Sequence, residues 1–255
     1  NKFEFRMLGS SASVATPNII LNTAVAEALS QFSKELEGTA PEDMEHAVHE
    51  LIKRAIKKHK KVIFNGNGYT EEWVEEAKKR GLYNLESTPD CLPQFIADKN
   101  VELFTKHHIF TKEEIFSRYE ILLENYVKTI GIEAKTMKEM LTKDFLPAVS
   151  SYAATVSDNA LAMKALAPSV PTASAESLVA SLGDAYEKIS STLTTLDEEI
   201  QEIDKKGSMQ ESADYCHKTV LATMDELRAV ADEAEAKIPD EELPYPTYDA
   251  LLFSV

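Results

Sequence analysis

Leu182-Gly183-Asp184-Ala185-Tyr186-Glu187-Lys188-Ile189-Ser190-Ser191-Thr192-Leu193-Thr194-Thr195-Leu196-Asp197-Glu198-Glu199-Ile200-Gln201-Glu202-Ile203 decides the fold. Leu182, Tyr186, Ile189, Leu193, Leu196, Ile200 and Ile203 recur at alternating steps of four and three, the spacing that puts apolar side chains on one stripe of a helix. After Lys205-Lys206-Gly207-Ser208 the pattern resumes with Met209, Ala213, Cys216, Val220, Thr223, Leu227, Val230 and Ala234. So short a connection forces antiparallel neighbours, and the expected element is a long αα-hairpin with a coiled-coil-like seam. A stripe of this kind is core, and no chemistry is assigned to it.

The rest of the chain reads as mainly α. Helices are expected from Pro17 to about Glu37, from Pro41 to about His59, and from a Thr111 cap through Tyr119, Leu123, Tyr126 and Ile130. Gly131 and Pro147 should bend or interrupt the last of these, which with the Ala-rich 153–167 stretch can complete a bundle around the hairpin. Pro168 to Ser174 is a linker-like loop. Lys61 to Tyr69 reads as a short extended piece ending in an Asn-Gly-Asn-Gly turn, with Thr70 capping the helix that follows. The two glycines beside two asparagines could form an anion nest, but without a Gly-Lys-Ser/Thr ending, turn structure is the better reading. An apolar tail, Tyr248 to Val255, should dock on the fold.

Composition excludes several classes. A chain of 255 residues with 44% hydrophobic content can bury a real core, with room for two packing units. The net charge of −16 argues against a nucleic-acid partner, because displacing counterions from phosphates needs a basic face. No apolar run nears the ~20 residues of a membrane span, and no signal pattern opens the chain. The local run Lys53, Arg54, Lys57, Lys58, Lys60, Lys61 reads as a solvated helix face, with a local phosphate or acidic-partner site as the alternative. Cys91 and Cys216 suggest a reducing compartment, the cytoplasm, with a single bridge between them left open and no metal-site spacing. His46 with His49, the adjacent His107 and His108, and the Asp197-Glu198-Glu199 cluster all read as surface or cap structure.

The stretch that carries candidate chemistry is Asn1-Lys2-Phe3-Glu4-Phe5-Arg6-Met7-Leu8. Residues 2 to 8 alternate as a short strand, which sends Glu4 and Arg6 to one side. On residue pattern alone that pair also fits a surface ion pair. The chain begins without Met and partway into this strand, so a C-terminal part of a larger protein is expected.

Lys2 to Ser11, together with Pro17-Asn18-Ile19-Ile20-Leu21-Asn22-Thr23-Ala24-Val25-Ala26-Glu27-Ala28, Val62-Ile63-Phe64-Asn65-Gly66-Asn67-Gly68-Tyr69, Ser117-Arg118-Tyr119-Glu120-Ile121 and Pro246 to Val255, resembles the C-terminal part of the type III glutamine synthetases. The resemblance covers nearly the whole chain and weakens between about Ala153 and Lys237. It implies that residues 1–150 are the end of the catalytic domain with a helical extension, and that 151–255 are a helical hairpin region with a docking tail. The N-terminal strand would then be left from the catalytic sheet.

The implied activity is ATP-dependent ligation of ammonium to glutamate through a γ-glutamyl phosphate, with Mg²⁺ or Mn²⁺ as cofactor. By the family's Glu-x-Arg pattern, Glu4 would be a metal ligand. Arg6 would bind glutamate and serve catalysis by compensating charge at the acyl phosphate. Lys2 would lie near the nucleotide phosphates, where other classes carry an arginine. The family forms double-ring homo-oligomers, and the chain alone is expected to be inactive. The competing reading is a helical regulatory or protein-interaction module without catalytic role.

Overall fold

A computed structural model of the chain describes residues 13–253, without the side chains of Tyr248 and Asp249. Its helices are α1 (Ala15–Leu36), α2 (Met44–His59), α3 (Glu71–Lys79), α4 (Thr88–Phe95), α5 (Asp98–Lys106), α6 (Lys112–Met140), α7 (Leu146–Leu166), α8 (Ala173–Ile203), α9 (Met209–Tyr215), α10 (Leu221–Glu235) and α11 (Tyr248–Leu252). Among the described residues there is no strand, so the fold is mainly α as expected. The strand expected at 2–8 lies outside the described residues.

Two compact units divide the described residues, 13–86 with 91–119 and 87–90 with 120–253, and the second division falls inside α6. In the first unit α1 packs on α2 and α5. Gly38 (φ 81°) ends α1 and Gly81 (φ 67°) ends α3, each in the left-handed region that a Cβ disfavours. Leu51, Phe104 and Ile115 are buried there, and Phe104 makes tilted ring contacts at 5.6 Å with Phe95 and with Phe110. At the start of α6, Thr111 Oγ1 accepts from Glu114 N at 3.2 Å while Glu114 Oε2 accepts from Thr111 N at 2.8 Å. This is the reciprocal capping box that the sequence announces.

The second unit is the bundle. Leu182, Ile189, Leu193, Leu196 and Ile203 of α8 are buried against Cys216, Val220, Leu227 and Ala234, with Val149 of α7 and Ile130 and Ala134 of α6 in the same core. Each such leucine or isoleucine contributes about 1.5–3 kcal/mol by leaving water. The turn between α8 and α9 is locked on both sides. Ser208 Oγ accepts from Glu211 N at 3.2 Å, Glu211 Oε2 accepts from Gly207 N at 2.9 Å, and Ser212 Oγ donates to the Ile203 carbonyl at 3.1 Å.

Several details differ from expectation for physical reasons. Gly131 does not interrupt α6, which runs on to Met140. The break comes at a π-helical turn, Leu141–Phe145, where Leu146 N reaches the carbonyl of Leu141. Pro147 stands in the first turn of α7. Its missing N–H and the crowding of its ring against the carbonyl four residues back are relieved by opening the turn. A second π turn, Cys216–Val220, interrupts the α9–α10 helix, and beyond it Met224 and Ala231 are buried. Thr223 and Val230 had been expected on that seam; Thr223 is instead bonded to Glu199 and Val230 is only partly buried.

Lys60–Val62 forms a 3₁₀ turn rather than the start of an extended piece. Thr70 stands at the N-cap of α3, but its hydroxyl donates to the Asn67 carbonyl at 3.0 Å instead of capping the helix. Cys91 is exposed and Cys216 buried, and no disulfide joins them.

Candidate functional site

Glu4, Arg6 and Lys2 lie outside the described residues, whose first helix is α1. Ser13 Oγ accepts from Ala15 N at 3.2 Å, and inside the helix the buried Thr23 hydroxyl donates to the Ile19 carbonyl at 2.7 Å. One turn further on stands Glu27, at the centre of a cluster of polar and charged side chains. Its two carboxylate oxygens each accept from Lys106 Nζ at 2.7 Å, Oε2 lies 2.6 Å from His107 Nε2, and Oε1 accepts from Gln31 Nε2 at 2.8 Å.

Glu27 and His107 are about one-fifth exposed. The Lys106 ammonium, then the Gln31 amide and His107, hold the Glu27 carboxyl down at about 2. With every oxygen committed to donors, Glu27 is an anionic clip between α1 and the end of α5. Lys106 and His107 sit where a helix C-terminus favours cations. His107 is the C-cap of α5, which fits the cap reading, but sequence spacing carries no sign of a partner eighty residues away.

The Asn65–Tyr69 segment is organised as a turn. Asn67 Oδ1 accepts from Tyr69 N at 3.1 Å. Phe64 stacks on Trp73 with ring centroids 4.3 Å apart. Arg80 lies over both rings at 5.9 and 5.7 Å and donates to the carbonyls of Lys61 (3.2 Å) and Ile63 (2.8 Å), with its Nε on Glu76 at 2.6 Å. The guanidinium is thus committed to carbonyls just ahead of the loop, not to the loop's own backbone.

Other candidates resolve in the same way. His46 and His49 are exposed. Among the described residues no group of three His, Cys, Asp or Glu could hold a metal ion. Asp197 pairs with Lys138. Glu199 departs from the solvated-face reading: Oε1 accepts from Thr223 at 3.0 Å while Oε2 is buried without a partner, and burial pushes its carboxyl pKa upward. Among the described residues no helix is long and apolar enough to cross a membrane.

Residues 47–164 match the family described as the glutamine synthetase C-terminal domain, and the chain belongs to the glutamine synthetase family. It corresponds to the C-terminal part of the type III enzymes. A glutamine synthetase of Butyrivibrio fibrisolvens is 43% identical over 214 residues, which is 84% of this chain. The type-3 glutamine synthetase of Dictyostelium discoideum is 33% identical over 99% of it. A glutamine synthetase of Bacteroides fragilis is 28% identical over the whole of this chain. The chain spans about a third of the length of these curated relatives, 31%, 35% and 36% respectively.

Proposed function

We propose that this chain is the C-terminal part of a cytoplasmic glutamate–ammonia ligase, in which residues 1–150 end the catalytic domain and 151–255 form the hairpin region and docking tail. The observation that carries the reading is the family match together with Glu4-x-Arg6 directly ahead of α1. The reaction sets two anionic substrates, ATP and glutamate, against each other, and that repulsion must be neutralised before a phosphoryl group can move. Arg6 meets this need by pairing with the glutamate carboxylate and then with charge at the acyl phosphate. Lys2 faces the nucleotide phosphates as a point charge.

Glu4 would be one carboxylate ligand for Mg²⁺ or Mn²⁺, with the other ligands coming from outside this chain. Bound there, the divalent ion supplies charge neutralisation for phosphoryl transfer. The chain alone is inactive. The full-length protein assembles as a double-ring homo-oligomer.

Two substitutions in the full-length polypeptide test the assignment. Arg6→Lys loses a bidentate, charge-assisted pair worth about 1.5–3 kcal/mol and should raise KM for glutamate roughly tenfold or more. Glu4→Gln should instead raise the divalent-ion concentration needed for half activity. An Arg6→Lys enzyme with unchanged glutamate dependence would overturn the role given to Arg6.

A further inference from the structure

In the second unit two cavities run end to end beside α10. The larger, about 630 Å³, has Met137, Leu141, Phe145, Met224 and Leu227 on one side and is bordered by the chain's own tail at Tyr245 to Thr247 and Leu251. The smaller, about 390 Å³, shares Arg228, Asp232, Glu235 and Thr247 with it and continues to Asp240 and Leu243. Together they follow α10 from Met224 to Glu235, about 16 Å at the helical rise of roughly 1.5 Å per residue.

The groove has a definite chemical character. Leu141, Phe145, Met224 and Leu227 are buried, while Ile132 (65% exposed) and Met140 (39%) stand open at its lip. Its rim carries Glu133, Asp232, Glu235 and Asp240 against one cation, Arg228, whose Nε is already held by Asp232 at 2.6 Å. Methionine-rich apolar floors adapt to varied side chains. An acidic rim over such a floor selects a cationic amphipathic helix, laid in by residues one turn apart, and repels anionic ligands.

The chain itself presents such a helix. α2 turns Leu51 into the first unit and leaves Ile52 (50% exposed) and Ile56 (56%) on its outer side, with Ile63 (50%) just beyond its end. Beside them run Lys53, Arg54, Lys57, Lys58, Lys60 and Lys61, a cationic island on a protein of net charge −16. Lys53 is paired with Glu50 and Arg54 with Glu35, whereas Lys57, Lys58, Lys60 and Lys61 have no ion-pair partner among the described residues. Exposed apolar side chains flanked by uncompensated charge mark an interaction face.

We propose that α2 of one copy docks its Ile52–Ile56 edge and its lysines into the acid-rimmed groove of a second copy. The contact is head-to-tail, so it builds closed rings or open arrays according to the rotation between copies. It does not depend on the catalytic reading.

Sedimentation of the 255-residue chain tests the proposal with two charge-reversed variants, Lys57→Glu/Lys58→Glu and Glu133→Lys/Glu235→Lys. All four side chains are exposed, so both variants should keep the parent's circular dichroism. The wild-type chain should self-associate with concentration, at least about tenfold more weakly in either variant and with rising salt. Mixing the two variants should recover a heterodimer. Zero-length cross-linking of mixed isotope-labelled and unlabelled chains should join Lys57 or Lys58 of one chain to Glu133 or Glu235 of another. A chain that stays monomeric, association untouched by both reversals, or links confined to single chains would each overturn the proposal.

Discussion

Glu27 Oε2 lies 2.6 Å from His107 Nε2, joining α1 to the end of α5 across eighty residues of sequence. With Lys106 on both carboxylate oxygens, the contact is a multiply bonded clip rather than an isolated surface pair. Its value is pH-dependent. The Glu27 carboxyl is held at about 2, below its ordinary 4.5, so its stabilisation is complete above pH 4.5 and is lost as the pH falls toward 2. Acid titration of the first unit, followed by the fluorescence of the single tryptophan, Trp73, should show a transition in that window. Glu27→Gln should lower stability at neutral pH and flatten the acid dependence. A variant whose acid profile superimposes on the parent's would show that the clip does not hold α1.

The Phe64–Trp73 stack gives a second prediction. A Cβ added at Gly66 would come within 2.4 Å of the Phe64 ring, and that ring is already pressed on Trp73. Gly66→Ala must therefore displace Phe64, at a cost near the value of an aromatic pair, about 0.5–1.5 kcal/mol. Trp73 emission should shift to the red, with Arg80 losing one of the rings it covers. An unchanged spectrum would contradict the contact.

In the bundle, burial and then the nearby Asp204 push the Cys216 thiol up to about 11, while Cys91 is exposed. At pH 8 a thiol reagent should label Cys91 promptly and reach Cys216 only when the second unit opens. Leu196 is fully buried in the same core, so Leu196→Ala should cost about 2–5 kcal/mol and accelerate labelling of Cys216 in proportion. Equal labelling rates for both thiols in the native protein would contradict the packing.

The hairpin was legible because its signals are local. The spacing of Leu182, Ile189 and Leu196 and the shortness of 204–208 need no knowledge of the rest of the molecule. The Thr111–Glu114 capping box is local in the same sense. The π turns were not legible, since Pro147 announces a disturbance but not how the helix absorbs it, and nothing in Cys216–Val220 announces one at all. Glu27 with His107, Arg80 with the Ile63 carbonyl, and Thr223 with Glu199 depend on tertiary approach, which periodicity does not encode. The candidate catalytic residues Glu4 and Arg6 were legible as a motif, and they stand outside the described residues, where only chemistry can test them.

The most direct measurement is therefore phosphate release from ATP, dependent on both glutamate and ammonium, by the full-length polypeptide that carries this sequence, with and without Glu4→Ala. Loss of a metal-ligating carboxylate at a phosphoryl-transfer site should lower the rate by about a thousandfold or more, with the oligomer intact. A fully active Glu4→Ala enzyme, or a wild-type protein that releases no phosphate under these conditions, would contradict the ligase account.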